Sequence, residues 1–392
     1  MNRRLLIAAA VLILVPLLAG CSSSERSRGQ VPSVRIAFLQ DLTVASHVDL
    51  VSPSFLAFDL SLRQRAQDFG VAVEVVQMDT EGDDERALAF AREVANDPSY
   101  LLAVIAPFWG EPDEVAATLA GAGVPTLSLS PQSAVPVSTI GSTTGETTTG
   151  AWRRLVPDQS LQALRLASLI SRAAEPTGEG SQEGGAVCLF AEPTSYSEGL
   201  RDAIGAALPP SIPLAEPAPG DLVGAVDAVR NGCGLVVWTG SPEGASALAV
   251  SLHDGGLPRA RSIDFGADAL KTVIPPTSPR GDGVTVGSVT CPCVDVSTSR
   301  ALKDRRFVNA YQAANGLAPG IYAAEAWDAG EMVAHPLERG IHDRSGMNAA
   351  IAGLQTWDGV SGLLRFDFDG ELVRPQVGLF VATGTRWLPL GR

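Results

Sequence analysis

Short apolar runs alternate along this chain with segments of helix length, and that alternation limits the fold more than any other feature. Strand-like runs fall at 34–39, 71–76, 101–106 and 125–129, with helical spacing at 55–66, 83–96 and 112–122 between them. The segment 83–96 is acidic at its start, as the positive end of a helix dipole prefers, and 112–122 opens on Pro112. Strands separated by helices of this length predict βαβ units and a largely parallel sheet. The run Leu101-Leu102-Ala103-Val104-Ile105-Ala106 does not alternate, which fits a strand covered on both faces.

After a Gly/Ser/Thr-rich stretch at 138–150 the pattern restarts. Helices are expected at 161–174, 197–207, 221–230 and 244–254, and strands at 186–190, 234–238 and 262–265. The predicted fold class is α/β, with two doubly wound parallel-sheet lobes in series. Beyond them helices are expected at 305–314, 323–337 and 346–353, with Trp327 in the core and Asp328 facing outwards. The segment 363–372 reads as a hairpin arm with Asp369-Gly370 at its turn, and 377–381 as a second arm. Asp367-Phe368-Asp369-Gly370 lacks the rest of a calcium-loop ligand set and reads as an ordinary turn.

With 392 residues, 45% of them hydrophobic, the chain can bury a large core in two domains. Its formal net charge of −14 argues against nucleic acid or an anionic membrane face as a partner. Four cysteines follow Cys21: Cys188, Cys233, Cys291 and Cys293. They allow three disulfide connectivities. Cys188 and Cys233 lie in or just before strand-like runs, where a bridge between neighbouring strands fits. Cys291-Pro292-Cys293 reads as a local bridge or as two buried thiols. No His lies near these cysteines, so a metal site is not expected. His47, His253, His335 and His342 form no HExxH pair, and GxSxG, Walker A and GxGxxG are absent. No enzyme and no cofactor is expected.

The N-terminus carries Arg3 and Arg4, an apolar run at 5–15, and Leu17-Leu18-Ala19-Gly20-Cys21. A charged start, an apolar stretch and a small-residue cleavage site make a secretory signal, expected at 1–20. The apolar stretch is shorter than the roughly 20 residues a membrane span requires. Leu17 to Cys21 resembles the lipobox of bacterial lipoproteins, which implies cleavage before Cys21 and a diacylglycerol on its sulfur. Residues 21–30 are polar and without apolar periodicity, so they are expected to be a flexible tether. The expected place of the folded body is the extracytoplasmic face of the cell membrane, periplasmic or extracellular, held by the lipid.

Several motifs recur in a fixed order: Arg35-Ile36-Ala37-Phe38-Leu39, Val104-Ile105-Ala106, and Gly123-Val124-Pro125-Thr126-Leu127 with Ser130-Pro131. They continue with Tyr196-Ser197-Glu198-Gly199-Leu200, Tyr322-Ala323-Ala324-Glu325-Ala326-Trp327-Asp328-Ala329 and Gly362-Leu363-Leu364-Arg365-Phe366-Asp367. In this order and spacing the chain resembles the type I periplasmic binding proteins, specifically the Leu/Ile/Val-binding receptors of ABC transporters. The resemblance implies two lobes joined by three crossovers, 31–150 plus 293–361 and 151–292 plus 362–392. It implies that a small polar ligand, an amino acid or related compound, is captured between the lobes and delivered to an ABC permease. A ligand-binding sensor lipoprotein and an orphan scaffold with a degenerate pocket are the alternatives.

In open α/β sheets ligands sit outside the carboxyl ends of strands, so the strand-end loops are the place to look. The candidate ligand-binding residues there are Trp109, Glu111, Ser130, Gln132, Ser133, Tyr196, Ser241 and Asp268. By the resemblance, Ser130, Gln132 and Ser133 match a carboxylate-side loop. Tyr196 stands where a cleft tyrosine is common, and Asp268 where an acid holds the ligand ammonium. Trp109 either packs under its loop or lines the pocket, and Asp268 either binds ligand or caps the following helix. The loop around Trp109 departs from the family's small hydroxyl residues, and Glu111 there would repel a carboxylate. Asp41, Glu111, Glu192, Glu243 and Asp268 could together make an acidic cleft, which would favour a cationic or polyhydroxylated ligand.

Overall fold

The computed structural model describes residues 33–43, 48–107, 113–132, 150–174, 186–215, 233–254, 263–265, 268, 271, 286–296, 301–383 and 386–389. The expected signal, Cys21, the tether, most of the 138–150 stretch and the helix expected at 221–230 lie outside them.

The first sheet is built around β1 (Ser33–Gln40), flanked by β2 (Ala72–Asp79) and β3 (Tyr100–Ile105). Beyond β3 follow β4 (Thr126–Ser128) and β5 (Trp152–Arg154), all parallel, in the order β2-β1-β3-β4-β5. Successive side chains of a strand point to opposite faces, and both faces here are apolar. Ile36 and Phe38 belong to one core with Phe58 of α1 (Val48–Arg65), and the Phe38 ring lies 5.4 Å from the rings of Phe55 and Phe58. Ala37 and Leu39 join a second core with Ala91 and Val94 of α2 (Asp84–Asn96) and Leu119 of α3 (Asp113–Gly121). Coverage on both faces explains why β3 is buried at every residue and reads as an unbroken apolar run. Asp83 caps α2 by accepting from the Arg86 N–H at 2.8 Å.

The second sheet contains β6 (Ala186–Phe190), β7 (Leu214–Ala215), β8 (Cys233–Trp238), β9 (Ile263–Phe265) and β10 (Val286–Cys291), which run parallel. Helices α4 (Gln159–Ala174), α5 (Ser195–Ala207) and α6 (Pro242–Asp254) accompany them. The remainder supplies α7 (Leu302–Asn315), α8 (Ala323–Glu338), α9 (Arg344–Ala352) and the hairpin of β11 (Thr356–Gly359) with β12 (Gly362–Arg365). It closes with β13 (Gly378–Thr383) and β14 (Arg386–Pro389), antiparallel additions that complete the order β14-β13-β10-β9-β8-β6-β7. Among the described residues no helix is long and apolar enough to cross a membrane.

Several elements depart from the sequence reading. Strands β5, β7, β10, β11 and β14 have no counterpart in it, and β5 carries the first sheet past residue 150 to Arg154. β7 is two residues long, and β5 is Trp-Arg-Arg, so neither gives an apolar run. Asp328 does not face outwards. It is buried and accepts from the N–H groups of Val360 and Ser361, both at 2.8 Å, in the turn between β11 and β12. Helix α8 lies along α1, and at Gly330 even a methyl group would sit 2.8 Å from the Phe58 carbonyl. The cysteines pair as Cys188–Cys233, joining adjacent strands β6 and β8, and as Cys291–Cys293 at the exit of β10.

Candidate functional site

The exit of β4 makes a tight polar loop. The Ser130 N–H donates to Ser128 Oγ at 3.1 Å, and the Gln132 N–H to Ser130 Oγ at 3.3 Å. Arg154 holds the loop from behind, with Nη1 3.0 Å from the Ser130 carbonyl and 2.8 Å from that of Pro131. The first amide of α4, on Gln159, also donates to the Pro131 carbonyl, at 3.0 Å. Ser130 is buried, and Gln132 Oε1 is buried with no hydrogen-bond partner.

The same helix reaches the exit of β6. Gln159 Nε2 donates to the Tyr196 carbonyl at 2.8 Å, and Gln162 Nε2 lies 3.3 Å from both oxygens of Thr290 on β10. Thr194 caps α5 by accepting from the Ser197 N–H, which sets Tyr196 in the first turn. The Tyr196 hydroxyl stands 3.2 Å from Gln162 Oε1 and 3.2 Å from Asp268 Oδ1. One phenol carries one proton, so it donates to one of the two at a time. The second Asp268 oxygen accepts from the Tyr322 hydroxyl.

Tyr322 stands immediately before α8, the helix that packs along α1. Its φ is +60°, a left-handed conformation that a bulky residue adopts at a cost of about 1–3 kcal/mol. The bond to Asp268 is what that conformation achieves. Asp268 is 2% exposed, and both hydroxyls can donate to its buried carboxyl. Burial pushes both phenols well above their usual range, and the Asp268 charge adds to the shift. Both tyrosines are therefore proton donors throughout the physiological range.

Three residues further along α8, Glu325 is buried and accepts from the Val294 N–H at 2.6 Å, on the segment leaving β10. Its other oxygen is buried without a hydrogen-bond partner. Burial raises its pKa to about 7, and Asp328 nearby adds to this. Beside it Lys271 pairs with Asp295 at 3.3 Å.

The structure brings together four of the expected features: Ser130, Gln132, Tyr196 and Asp268, with α4 linking the first pair to the second. Ser241 is turned into its own loop. Its hydroxyl donates to Glu192 Oε1 at 2.6 Å and accepts from the Gly244 N–H at the start of α6. Trp109, Glu111 and Ser133 lie outside the described residues. The acidic groups are bonded to different partners: Asp41 to the Thr80 hydroxyl, Glu192 to Ser241, and Asp268 to the tyrosines, while Glu243 is exposed. Sequence reasoning missed Gln162, Tyr322, Arg154 and Glu325. Gln162 is the one with a readable signal, a glutamine on the stripe of α4 that otherwise buries Ala163, Leu166 and Ile170. Among the described residues no cluster of His, Cys, Asp or Glu is arranged to hold a metal ion.

Two largely parallel sheets with polar strand-end loops, and a buried Asp–Tyr contact beside them, are the features to set against known proteins. Residues 33–383 match the family model described as periplasmic binding protein, and the chain belongs to that family. Its fold is that of the type I periplasmic binding proteins. A leucine-binding protein from Thermotoga maritima is 17% identical, with a TM-score of 0.67 over 91% of this chain and 98% of that one. A branched-chain amino acid binding protein from Streptococcus pneumoniae, solved with isoleucine, is 15% identical, with a TM-score of 0.66 over 91% and 100%. A solute-binding protein from R. palustris, solved with 4-hydroxybenzoate, is 14% identical, with a TM-score of 0.67 over 92% and 96%. No curated protein sequence matches the chain.

Proposed function

We propose that the chain is an extracytoplasmic receptor, anchored by lipid on Cys21, that captures a small amino-acid-like ligand between two lobes and hands it to an ABC permease. The lobes follow the expected division except at the first crossover, which leaves sheet one after β5, so that they are 31–154 with 293–361 and 155–292 with 362–392. The observation that carries this reading is the buried Asp268 carboxylate, held by Tyr196 from one half and Tyr322 from the other. A group so placed marks where a ligand's charge would be read and where closure would be felt.

The related structures hold both amino acids and an aromatic acid. Asp268 favours the former class. Two like charges about 4 Å apart repel by about 4 kcal/mol near a protein surface, while an ammonium gains by as much. A ligand with an ammonium group is therefore preferred over one whose only charge is a carboxylate. Ser130 and Gln132 are the polar groups on the opposite side.

The test is a thermal-shift and calorimetric comparison of leucine, isoleucine, benzoate and 4-hydroxybenzoate on the body from residue 31, with Asp268→Asn alongside. Binding to the folded state raises apparent stability by mass action. Amino-acid binding that is lost in Asp268→Asn supports the reading, and benzoate binding that survives the substitution refutes the charge assignment. One observation favours a second reading: the tyrosines already occupy both Asp268 oxygens, as in a scaffold whose pocket is filled by its own side chains. Silence across a broader panel of amines and amino acids would select that reading.

A further inference from the structure

Two buried arginines in succession close β5, and they do different work. Arg153 turns to the end of α9, donating to the carbonyls of Ala352 at 2.5 Å and Leu354 at 2.9 Å. Arg154 turns to the strand-end loop. Its Nη1 bonds the Ser130 and Pro131 carbonyls, while its Nε lies 3.0 and 2.9 Å from the two oxygens of Glu371. Glu371 also accepts from Trp152 Nε1 at 3.2 Å and sits on the turn between the bridged residues Phe366 and Leu372. That turn is itself locked to β5. The Arg154 N–H donates to the Gly370 carbonyl at 2.9 Å, and Gly370, at φ +85°, lies so close that a Cβ would overlap the Trp152 carbonyl.

We propose that Arg154 is the positioning residue of the Ser130–Gln132 loop, aimed by Glu371, so that the 366–372 turn sets how that loop presents its polar groups to ligand. The planar guanidinium is what makes this possible. A rigid fork can grip a carboxylate through one edge and two carbonyls through another, which a lysine ammonium on a flexible stem cannot do with fixed geometry. Ser130 and Gln132 have their amides tied to neighbouring hydroxyls, so a displaced carbonyl pair moves those amides with it. The effect on ligand rests on the reading of this loop as ligand-facing; the effect on the loop does not.

The experiment therefore reads both. Amide hydrogen exchange is followed in the wild type, Arg154→Lys, Glu371→Gln and, as control, Arg344→Lys. Arg344 is an equally carbonyl-bound arginine that holds the end of α2 through Val94, Ala95 and Asp97. Exchange at Ser130 and Gln132 should quicken by on the order of tenfold in Arg154→Lys and in Glu371→Gln, and not in Arg344→Lys. Unchanged loop exchange in both test variants, or equal quickening in the control, overturns the proposal. In parallel, leucine affinity should weaken by about tenfold in the two test variants and hold in the control. Leucine binding by wild type that is undiminished in Arg154→Lys also overturns it. If the wild type binds no leucine, the ligand assignment falls and the exchange data alone decide the role of Arg154. Should Arg154→Lys fail to fold, Glu371→Gln carries the same comparison.

Discussion

Replacing Glu325 by Gln should stabilise this protein in alkali and remove part of its dependence on pH. The wild-type carboxyl is fully buried, with one oxygen on the Val294 N–H and the other without a partner. Burial is the main cause that raises its pKa from 4.5 to about 7. The charge on Asp328 raises it further, while the bond to Val294 and the charge on Lys271 work against the shift. The folded chain thus holds this proton where the unfolded chain has released it. The stability that proton contributes is fully present below about 4.5 and is lost as pH rises through about 7. At 1.36 kcal/mol per pH unit, the loss across that window is about 3 kcal/mol.

Glutamine keeps the shape and the acceptor for Val294 but carries no proton to lose. Urea unfolding at about pH 5 and about pH 8 would measure the difference. Wild type should lose most of its 3 kcal/mol between the two, on top of a further loss from Asp328, whose pKa rises from 3.8 to about 6 for the same reason, burial. The variant should lose only the Asp328 share, so the gap between the proteins should widen with pH in favour of Gln. Parallel stability curves would mean that Glu325 does not hold its proton in the folded chain, and would refute the argument.

Other perturbations separate packing from chemistry. Gly330→Ala should destabilise by about 1–3 kcal/mol in thermal unfolding, because the added methyl would overlap Ser61 Oγ and crowd the Phe58 carbonyl where α8 meets α1. That outweighs the gain of at most about 1 kcal/mol that alanine brings to a helix interior. Replacing Cys188 and Cys233 together by Ala should cost about 4 kcal/mol, the loop-closure value for a bridge spanning 45 residues, measured by denaturant unfolding against the oxidised wild type. Tyr322→Phe removes a donor from a buried carboxylate and should cost about 1–3 kcal/mol, read as a drop in Tm.

Much of the architecture was legible because its physics is periodic. A strand covered on both faces has no choice but to be apolar at consecutive positions, so the runs at 101–106 and 186–190 announced β3 and β6 within a residue. Helix α2 was equally plain from its acidic start, while α5 begins two residues before the expected 197, where Thr194 takes the Ser197 N–H. Asp328 was misread for the opposite reason. Its helix face suggested solvent, and nothing in the local pattern reveals a turn more than thirty residues later whose N–H groups it satisfies.

The hidden strand and the hidden part of the site have a common cause. β10 was missed because Ser288 and Thr290 interrupt its apolar pattern, although both are buried. Thr290 is polar inside the core because Gln162 reaches it from α4, and Gln162 is polar because it also faces the Tyr196 hydroxyl. Each residue taken singly weakens an element, and the sequence pattern registers only that weakness. Together they carry a polar line from β10 through α4 and the Tyr196 hydroxyl to Asp268, so that these buried polar groups have hydrogen-bond partners. Local rules fail in this chain where buried polar side chains are paired with one another across elements distant in sequence. Tyr322 extends the same logic: its left-handed backbone breaks a local preference, and its hydroxyl donates to the second oxygen of Asp268.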